Sequence, residues 1–380
     1  MNFGGLKVLM ISSDRNILVP DSAVAGRMKK YGELVDELHI VLMCDSSHGL
    51  KPTQLATRVW VYPTNSAIHF LRPIDAASLG KKIIVEKKFV RGQSVITADS
   101  IEGGWAGLKV KRKWRLPLEV QVHTNPFSPY YTGFQNSVRR LLAKKVFPQA
   151  DMVRVVSEEL KEKLVSSTHA PIVVLPILVQ AEAIEQAPIT FDLRARYGWQ
   201  FVILSVARLA PEKNLPMALE TLRIVRKQFP DTGLVIVGSG TEEGRLRSLI
   251  KKLDLVGFVE LAGWQQELAS FYKTANVFLQ TSFFEGYGLA LVEAGLSGLP
   301  VVTTPVGLAR ELEDNKDVFF VEAERPDIAA ARIIDLLEHN QKRENLRFNL
   351  KHTLEQKLLS EVEYLKRMRE TWEQTSRRIT

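Results

Sequence analysis

The chain has 380 residues, more than a single hydrophobic core usually serves, so its length favours two domains. Its composition, 45% hydrophobic and 25% charged residues, is that of a globular protein and argues against a disordered or fibrous chain. The single cysteine, Cys44, excludes an internal disulfide and fits a reducing compartment. No apolar run is long enough to span a bilayer, so we expect a soluble, cytoplasmic protein.

The net charge of +8 is distributed unevenly. Residues 1–175 contain 25 Lys and Arg against 15 Asp and Glu, and residues 81–115 alone contain ten basic and three acidic residues. Such an excess has two interpretations, a solvated basic face or a surface for an anionic ligand or an anionic membrane. The sequence leaves both open.

In chain order, the first half alternates Val/Ile/Leu-rich runs with helical stretches at 24–35, 136–147 and 158–166. Continuous apolar runs without polar alternation indicate parallel strands covered on both faces. The predicted strands of this series are 6–12, 38–43, 58–63, 93–98, 118–123 and 150–157.

The same alternation restarts after residue 200, with predicted strands at 201–209, 232–240, 257–263, 276–282, 299–305 and 317–322. Two successive series of this kind predict two doubly wound α/β domains. We place the N-terminal domain at 1–178, a linker at 179–198, the C-terminal domain at 199–356 and a C-terminal helix at 357–380.

Ligands of parallel sheets bind beyond the carboxyl ends of the strands, and chemically useful side chains stand at three such ends. His123 follows the strand "LEVQV", whereas Arg208 and Lys213 follow "FVILSV". Each residue by itself is as consistent with a structural or surface role as with a functional one. Their joint placement favours a site.

The third strand end leads into "FFEGYGLALVEAGLSGLPVVTTPVG" (283–307), which holds Glu285 and Glu293 in an apolar context. A buried carboxylate must be compensated, because leaving it unpaired costs several kcal/mol. The pattern predicts a helix from about Leu289 to a cap at Gly298, with its N-terminus available to an anion. With Glu285 in the preceding loop, both carboxylates can face one ligand.

These features together resemble the retaining glycosyltransferases of the GT-B fold, family GT4. The resemblance rests on the E-x7-E spacing, on the "GLPVVTTPVG" that follows, on "SVARLAPEKN" (205–214) and on "LVIVGSGTEEGRL" (234–246). It covers nearly the whole chain and is strongest over 200–310. It implies two Rossmann-like domains that face a central cleft, with C-terminal helices packing back on the N-terminal domain.

The resemblance also implies roles. Arg208 and Lys213 match the family's diphosphate-binding pair, Glu293 its ribose-binding carboxylate, and Glu285 the carboxylate against the donor sugar. His123 matches a histidine by the reacting sugar, so His123 and Glu285 are the catalytic candidates. The backbone around the donor sugar and phosphate is provided by Gly286, Tyr287, Gly288 and Leu289.

The implied activity is transfer of a sugar from a UDP- or GDP-sugar to an acceptor hydroxyl with retention of configuration, as in polysaccharide or glycolipid biosynthesis. The acceptor is a sugar, a lipid-linked molecule or another small molecule. Because two cations can neutralise the leaving diphosphate and no D-x-D or metal-ligand spacing occurs, we expect no metal and no cofactor. The basic N-terminal half predicts peripheral contact with the inner face of an anionic membrane.

One segment departs from the family pattern, and the sequence leaves other functions open. The turn after the first strand, "SSDRNILVPDSAVAGRM" (12–28), lacks the glycine-rich pattern of many members, which leaves the acceptor contacts open. The alternatives are another nucleotide-sugar enzyme such as an epimerase, a dinucleotide oxidoreductase using "VIVGSGTEEG", or a non-catalytic anion or RNA binder. The glycine spacing is one residue too long for the oxidoreductase, and no nucleic-acid signature appears, so we expect no nucleic-acid partner.

Overall fold

The computed structural model describes residues 5–130 and 133–378, and the chain divides into two units. Unit 1 contains the residues up to Pro176 together with those from Ser360 onward, and unit 2 contains Ile177–Leu359. Within the described ranges, no helix combines the length and the apolar character needed to cross a bilayer.

Unit 1 is built on an eight-stranded sheet in the order β3-β4-β2-β1-β5-β6-β7-β8. Its strands are β1 Lys7–Ser12, β2 Glu37–Leu42, β3 Thr53–Ala56, β4 Val59–Pro63, β5 Ser94–Ala98, β6 Leu118–Val122, β7 Met152–Val155 and β8 Ile172–Val174. All neighbours are parallel except β3 and β4. The chain winds outward from β1 in one direction and from β5 in the other, so the order reverses between these two strands.

Helices cover this sheet. They are α1 Ala23–Glu33, α2 Arg72–Glu86, α3 Ile101–Trp114, α4 Phe134–Val146, α5 Glu158–Leu164 and the C-terminal α14 Glu361–Ser376. The helices α2, α3 and α4 pack side by side, and α14 packs against β5 and β6. Every residue of β5 and β6 is buried, the polar ones included, and Thr97 of β5 donates a 3.1 Å hydrogen bond to Glu119 of β6.

The C-terminal helix α14 is fixed to unit 1 by aromatic contacts with α1. The rings of Tyr31 and Trp372 meet edge to face with centroids 5.6 Å apart, and the hydroxyls of Tyr31 and Tyr364 lie 3.0 Å apart. Trp372 is completely buried, so this contact excludes water from one face of the sheet. The C-terminal segment thus returns to the N-terminal unit, as the resemblance implied.

Unit 2 has a six-stranded parallel sheet in the order β11-β10-β9-β12-β13-β14. Its strands are β9 Phe201–Val206, β10 Thr232–Val237, β11 Val259–Gly263, β12 Val277–Gln280, β13 Val301–Thr303 and β14 Phe319–Phe320. Its helices are α6 Ala181–Gln186, α7 Leu193–Tyr197, α8 Leu215–Val225, α9 Glu243–Lys252, α10 Ala269–Thr274, α11 Leu289–Leu296, α12 Pro326–Glu338 and α13 Asn340–Lys357. Here the strand order reverses between β9 and β12.

The segment predicted as a linker, 179–198, packs as part of unit 2. Lys273 on α10 donates 2.6 Å hydrogen bonds to the carbonyls of Glu185 and Ala187, and the Thr190 amide donates to Ser270. The change of unit therefore falls at Pro176, a few residues earlier than the sequence indicated, and at Leu359 on the return. The contacts that decide this join residues about 80 positions apart.

Two strands were not predicted. β3 and β8 are the outermost strands of unit 1, and no residue of either is fully buried. β3 has the weak apolar character common at a sheet edge, whereas β8 is apolar but only three residues long. The remaining strands appear where the sequence placed them; β2 is shifted by one residue, and the others are shorter by one to several residues.

Candidate functional site

Two loops meet at the carboxyl edge of the unit 2 sheet, where the strand order reverses. β9 and β12 are neighbours there, with β10 and β11 on one side and β13 and β14 on the other. At such a point the loops that follow the strands diverge, which leaves a crevice for a ligand. The loop after β9 carries Arg208 and Lys213, and the loop after β12 carries Glu285.

Glu285 is compensated at both carboxylate oxygens. Lys213 Nζ lies 2.7 Å from Oε2, and the Ser282 hydroxyl donates a 2.7 Å hydrogen bond to Oε1. The Lys213 and Glu285 side chains are only 13% and 12% exposed, so the pair lies in a setting of reduced dielectric. The sequence predicted that Glu285 needs compensation, but Ser282 was not predicted.

The two loops are tied to each other below this ion pair. The Thr281 hydroxyl lies 3.0 Å from each of the carbonyls of Lys213 and Asn214, and the Phe283 amide donates to the Glu212 carbonyl at 2.8 Å. A cavity of about 10 Å³ lies between the loops, lined in part by Ser205, Lys213 and Glu285. The backbone that carries both charges is therefore held by hydrogen bonds independent of the ion pair.

Glu293 lies on α11 and is held by a residue from another helix. The Tyr272 hydroxyl, on α10, donates a 2.9 Å hydrogen bond to Glu293 Oε2. Burial raises the pKa of Glu293, and the bond from Tyr272 opposes this rise. Burial and the nearby carboxylate raise the pKa of Tyr272 well above its ordinary value, so the phenol keeps its proton. Tyr272 is a second residue that the sequence did not predict.

The turn between the two glutamates leads directly into α11. Gly288 stands at the helix N-cap with φ of +94°, a conformation that strongly favours glycine, and no described side chain caps the helix. The N-terminus of α11 therefore offers backbone donors to an anion. Tyr287 is 5% exposed, and its carbonyl accepts a 2.7 Å hydrogen bond from the Leu308 amide, so this residue is part of the packed turn. Leu289 is exposed.

Arg208 has a different partner from Lys213. Its Nη2 lies 2.7 Å from Glu212 Oε1, and Glu212 is buried whereas 63% of the Arg208 side chain is exposed. Glu212 thus binds one nitrogen of the Arg208 guanidinium and leaves its other N–H donors to solvent or to a ligand. The structure places the candidates of unit 2 on the loops after β9 and β12 and on α11, and the Lys213–Glu285 ion pair joins the two loops.

The glycines of "VIVGSGTEEG" have an explanation in local packing. A Cβ on Gly238 would lie 2.0 Å from the Ala207 carbonyl oxygen, and one on Gly240 would lie 2.3 Å from that of Leu209. Both glycines let the loop after β10 pack directly on the loop that carries Arg208. Their absent side chains therefore allow the loop after β9 to adopt its observed shape.

His123 belongs to unit 1, where it follows β6. Solvent reaches the imidazole, although protein atoms surround much of it. This desolvation lowers the pKa of His123 to about 4, with further contributions from the charges of Arg154 and Arg27. The ring is therefore neutral at physiological pH.

Asp99 stands where the strand order of unit 1 reverses and was not predicted. It follows β5 directly, and the Ser12 hydroxyl at the end of β1 donates to its Oδ2. Its Oδ1 is buried without a hydrogen-bond partner among the described residues. Burial raises the pKa of Asp99 to about 6. Its sequence context gave no signal, because "ITADS" reads as an ordinary strand end.

Within residues 5–130 and 133–378, no cluster of three or more His, Cys, Asp or Glu side chains could hold a metal ion. The expectation that the chain needs no metal and no cofactor remains a prediction.

Residues 191–353 match the family described as glycosyl transferases group 1. Unit 2 is a group 1 glycosyltransferase domain. The match spans both site loops and α11, so the E-x7-E segment of this domain lies inside it. This match by itself does not establish the retaining GT4 assignment.

Solved structures share the fold over nearly the whole chain. The Anabaena protein HepE, solved with UDP and glucose, is 20% identical, covers 96% of this chain and 99% of its own, and has a TM-score of 0.74. Sucrose-phosphate synthase from Thermosynechococcus elongatus is 17% identical over 97% and 98% of the two chains, with a TM-score of 0.77. The chain has the GT-B fold of these enzymes, and the glycosyltransferase domain is its second half.

The curated sequence relatives match shorter parts of this chain than the solved structures do. An uncharacterized glycosyltransferase of Methanocaldococcus jannaschii is 28% identical over 189 residues, 48% of this chain and 47% of its own length. Alpha-monoglucosyldiacylglycerol synthase of Acholeplasma laidlawii is 26% identical over 281 residues, 66% of this chain and 67% of its own. The chain spans about half or less of the length of the first two curated relatives that it matches, and about two thirds of the Acholeplasma synthase.

Proposed function

We propose that the protein transfers a sugar from a nucleoside diphosphate sugar to an acceptor hydroxyl with retention of configuration. The observation that carries this proposal is the Lys213–Glu285 pair at the reversal point of the unit 2 sheet, with Arg208 in the same loop as Lys213 and the α11 N-terminus four residues after Glu285. Cations and helix amides suit a diphosphate, and paired carboxylates suit sugar hydroxyls. The presence of UDP in the HepE structures favours a uridine donor.

In this proposal each residue has one task. Arg208 and Lys213 neutralise the charge that develops on the diphosphate as its bond to the sugar breaks, so the reaction proceeds without a metal. Glu293 accepts hydrogen bonds from the ribose, and Glu285 stands against the sugar ring. The role proposed for His123, which is neutral because of its low pKa, is at the reacting sugar.

The test is release of nucleoside diphosphate from a panel of UDP- and GDP-sugars, measured with and without EDTA. We expect slow release from one donor class by water alone, faster release with acceptor, and no loss in EDTA. A protein that binds these donors but never releases diphosphate would contradict the proposal. Anomeric NMR of the product checks retention.

We further propose that unit 1 rests on the inner, anionic face of a membrane and that its acceptor is lipid-linked. The synthase of Acholeplasma laidlawii, whose name describes a glycolipid product, supports a lipid acceptor. On α2 and α4, which pack on either side of α3, four large apolar side chains are 51–73% exposed: Ile74, Val85, Phe134 and Leu141. The same helices expose Lys82, Lys144 and Lys145. Apolar side chains among cations suit an anionic bilayer surface.

The basic segment 108–115 contributes less to this surface than its composition suggested. Lys111 Nζ lies 2.6 Å from Asp151 Oδ2, whose side chain is fully buried, and also donates to the Gln149 carbonyl. Lys111 is therefore an internal partner of the carboxylate. Arg112, which donates to Gln149, and Lys113 are exposed.

A further inference from the structure

The segment 12–28, which replaces the glycine-rich turn of many related sequences, folds into two capped turns. Asp14 caps a short 3-10 helix at Arg15–Leu18, and the Ser22 hydroxyl accepts a 3.0 Å bond from the Ala25 amide to cap α1. This segment follows β1 at the carboxyl edge of the sheet, where the strand order reverses. Its position is thus the one at which unit 1 should meet a ligand.

Arg27 lies one turn into α1, four residues before Tyr31 and hence on the same face of the helix. Tyr31 is 4% exposed and packs on Trp372, so this face is turned towards the interior of unit 1. Side chains of a helix lean towards its N-terminus, and the N-terminus of α1 is at the carboxyl edge of the sheet. The Arg27 guanidinium is therefore carried towards the edge at which Asp99 and His123 lie.

Arg27 is half-buried and makes no hydrogen bond or ion pair among the described residues. No described acidic side chain forms an ion pair with it, and a second cation lies in the same region. Arg154, which is 6% exposed, already pairs with Glu119 at 3.3 Å, and the charges of Arg27 and Arg154 both reach the His123 ring. A partly desolvated guanidinium beside a second cation is unfavourable unless an anion joins it.

We propose that Arg27, together with His123, binds an oxyanion carried by the acceptor, a phosphate in the first instance. A guanidinium matches the two oxygens of a phosphate with parallel hydrogen bonds, and a neutral imidazole can donate one more. This inference rests on the proposed function, because it assigns the acceptor to the carboxyl edge of unit 1. It narrows the acceptor to molecules with a negative group near the hydroxyl that receives the sugar.

The experiment follows the imidazole signals of His123 by NMR while inorganic phosphate is added to the full chain. The chain has seven histidines, and a His123→Gln variant assigns the signal. The titration is run in an Arg208→Ala/Lys213→Ala background, so that phosphate at the proposed donor site does not contribute. We expect a saturable shift of the His123 signals.

Arg27→Gln should weaken phosphate binding about tenfold or more, the usual effect of losing a charge-assisted contact, whereas Arg27→Lys should retain part of the affinity. Lys29→Gln is the matched control, because Lys29 is an exposed cation two residues away on the same helix, and it should change nothing. Equal affinities in the parent and in Arg27→Gln, or a shift that never saturates, would overturn the inference.

A second arm separates the acceptor from the donor as the source of the oxyanion. With the native residues at 208 and 213, UDP should leave the phosphate-dependent shift of His123 in place. If UDP abolishes that shift by competition, the oxyanion at Arg27 belongs to the donor, and the inference fails. The proposed function is judged separately by diphosphate release, which does not depend on the Arg27 result.

Discussion

Lys213 Nζ lies 2.7 Å from Glu285 Oε2, so the cation expected at the donor diphosphate is paired with the carboxylate expected at the donor sugar. Ser282 holds the other oxygen of that carboxylate at 2.7 Å. A diphosphate carries more negative charge than one carboxylate and would compete for Lys213 when it binds. Donor binding would then release Glu285 Oε2 for a sugar hydroxyl, while Ser282 keeps the side chain in place.

Replacing Arg208 or Lys213 with Ala should weaken UDP binding by about 1.5–3 kcal/mol each, because each removes a charge-assisted contact to a phosphate oxygen. Lys213→Ala should also leave Glu285 without its counter-charge. Isothermal calorimetry measures the affinities, with Lys251→Ala, an exposed lysine of α9, as the control. Unchanged affinity in both variants would contradict the assignment.

The two glutamates should show different kinetic effects. Glu293→Gln should mainly raise the donor KM, since ribose contacts are alike in the ground state and the transition state. Glu285→Gln should mainly lower kcat, since positive charge develops on the sugar beside it. Steady-state kinetics with varied donor separates the two, and the same signature in both variants would show that the roles are wrongly divided.

Tyr272→Phe should raise the donor KM about tenfold without a comparable change in kcat. The phenol donates to Glu293 Oε2, and its loss removes one hydrogen bond that fixes the carboxylate. The same bond holds the pKa of Glu293 down, so the variant should raise that pKa further, and its donor KM should begin to rise at a higher pH as pH falls. A pH series of KM for the parent and the variant measures this. Parallel curves would assign Tyr272 a packing role only.

Asp99→Asn should stabilise the protein at pH 8 and have little effect near pH 4. The pKa of Asp99 is about 6 in the folded chain against an ordinary 3.8, so folding favours its protonated form. The free energy of unfolding therefore falls as the pH rises from about 4 to 6, by at most about 3 kcal/mol. Thermal melts across this range test the prediction, and Asp36→Asn, at an exposed aspartate, is the control. A melting temperature raised equally at both pH values would contradict it.

The membrane proposal predicts co-sedimentation with anionic vesicles at low salt and release at high salt, because each cation near the surface contributes on the order of 1 kcal/mol that salt screens. Changing Lys82, Lys144 and Lys145 to Ser, or Phe134 and Leu141 to Ser, should abolish it. Lys251 and Lys252 on α9 of unit 2 provide the matched control for charge alone. Equal sedimentation with neutral vesicles, or none with anionic ones, would favour a soluble acceptor.

Local pattern was enough to predict most of the fold. The central strand β9 is largely buried and apolar, as a strand covered on both faces is expected to be, and the sequence displays this run directly. The helix after the Gly-Tyr-Gly turn was placed at its observed start, Leu289, because its cap signals are neighbours in the chain. The edge strands β3 and β8 were missed, since they have only four and three residues and β3 has little apolar character.

The candidate site, like the fold, could be predicted from the sequence only in part. The sequence by itself determined which residues are functional candidates in unit 2, because Arg208, Lys213, Glu285 and Glu293 stand at strand ends or at helical spacing. Only the tertiary structure decided their partners: Ser282 and Lys213 for Glu285, Tyr272 for Glu293, and Asp151 for Lys111. Such pairs form where the closed sheet brings distant loops together. The strength of each contact depends on burial and on distances of a few ångströms, and neither is encoded in spacing along the chain.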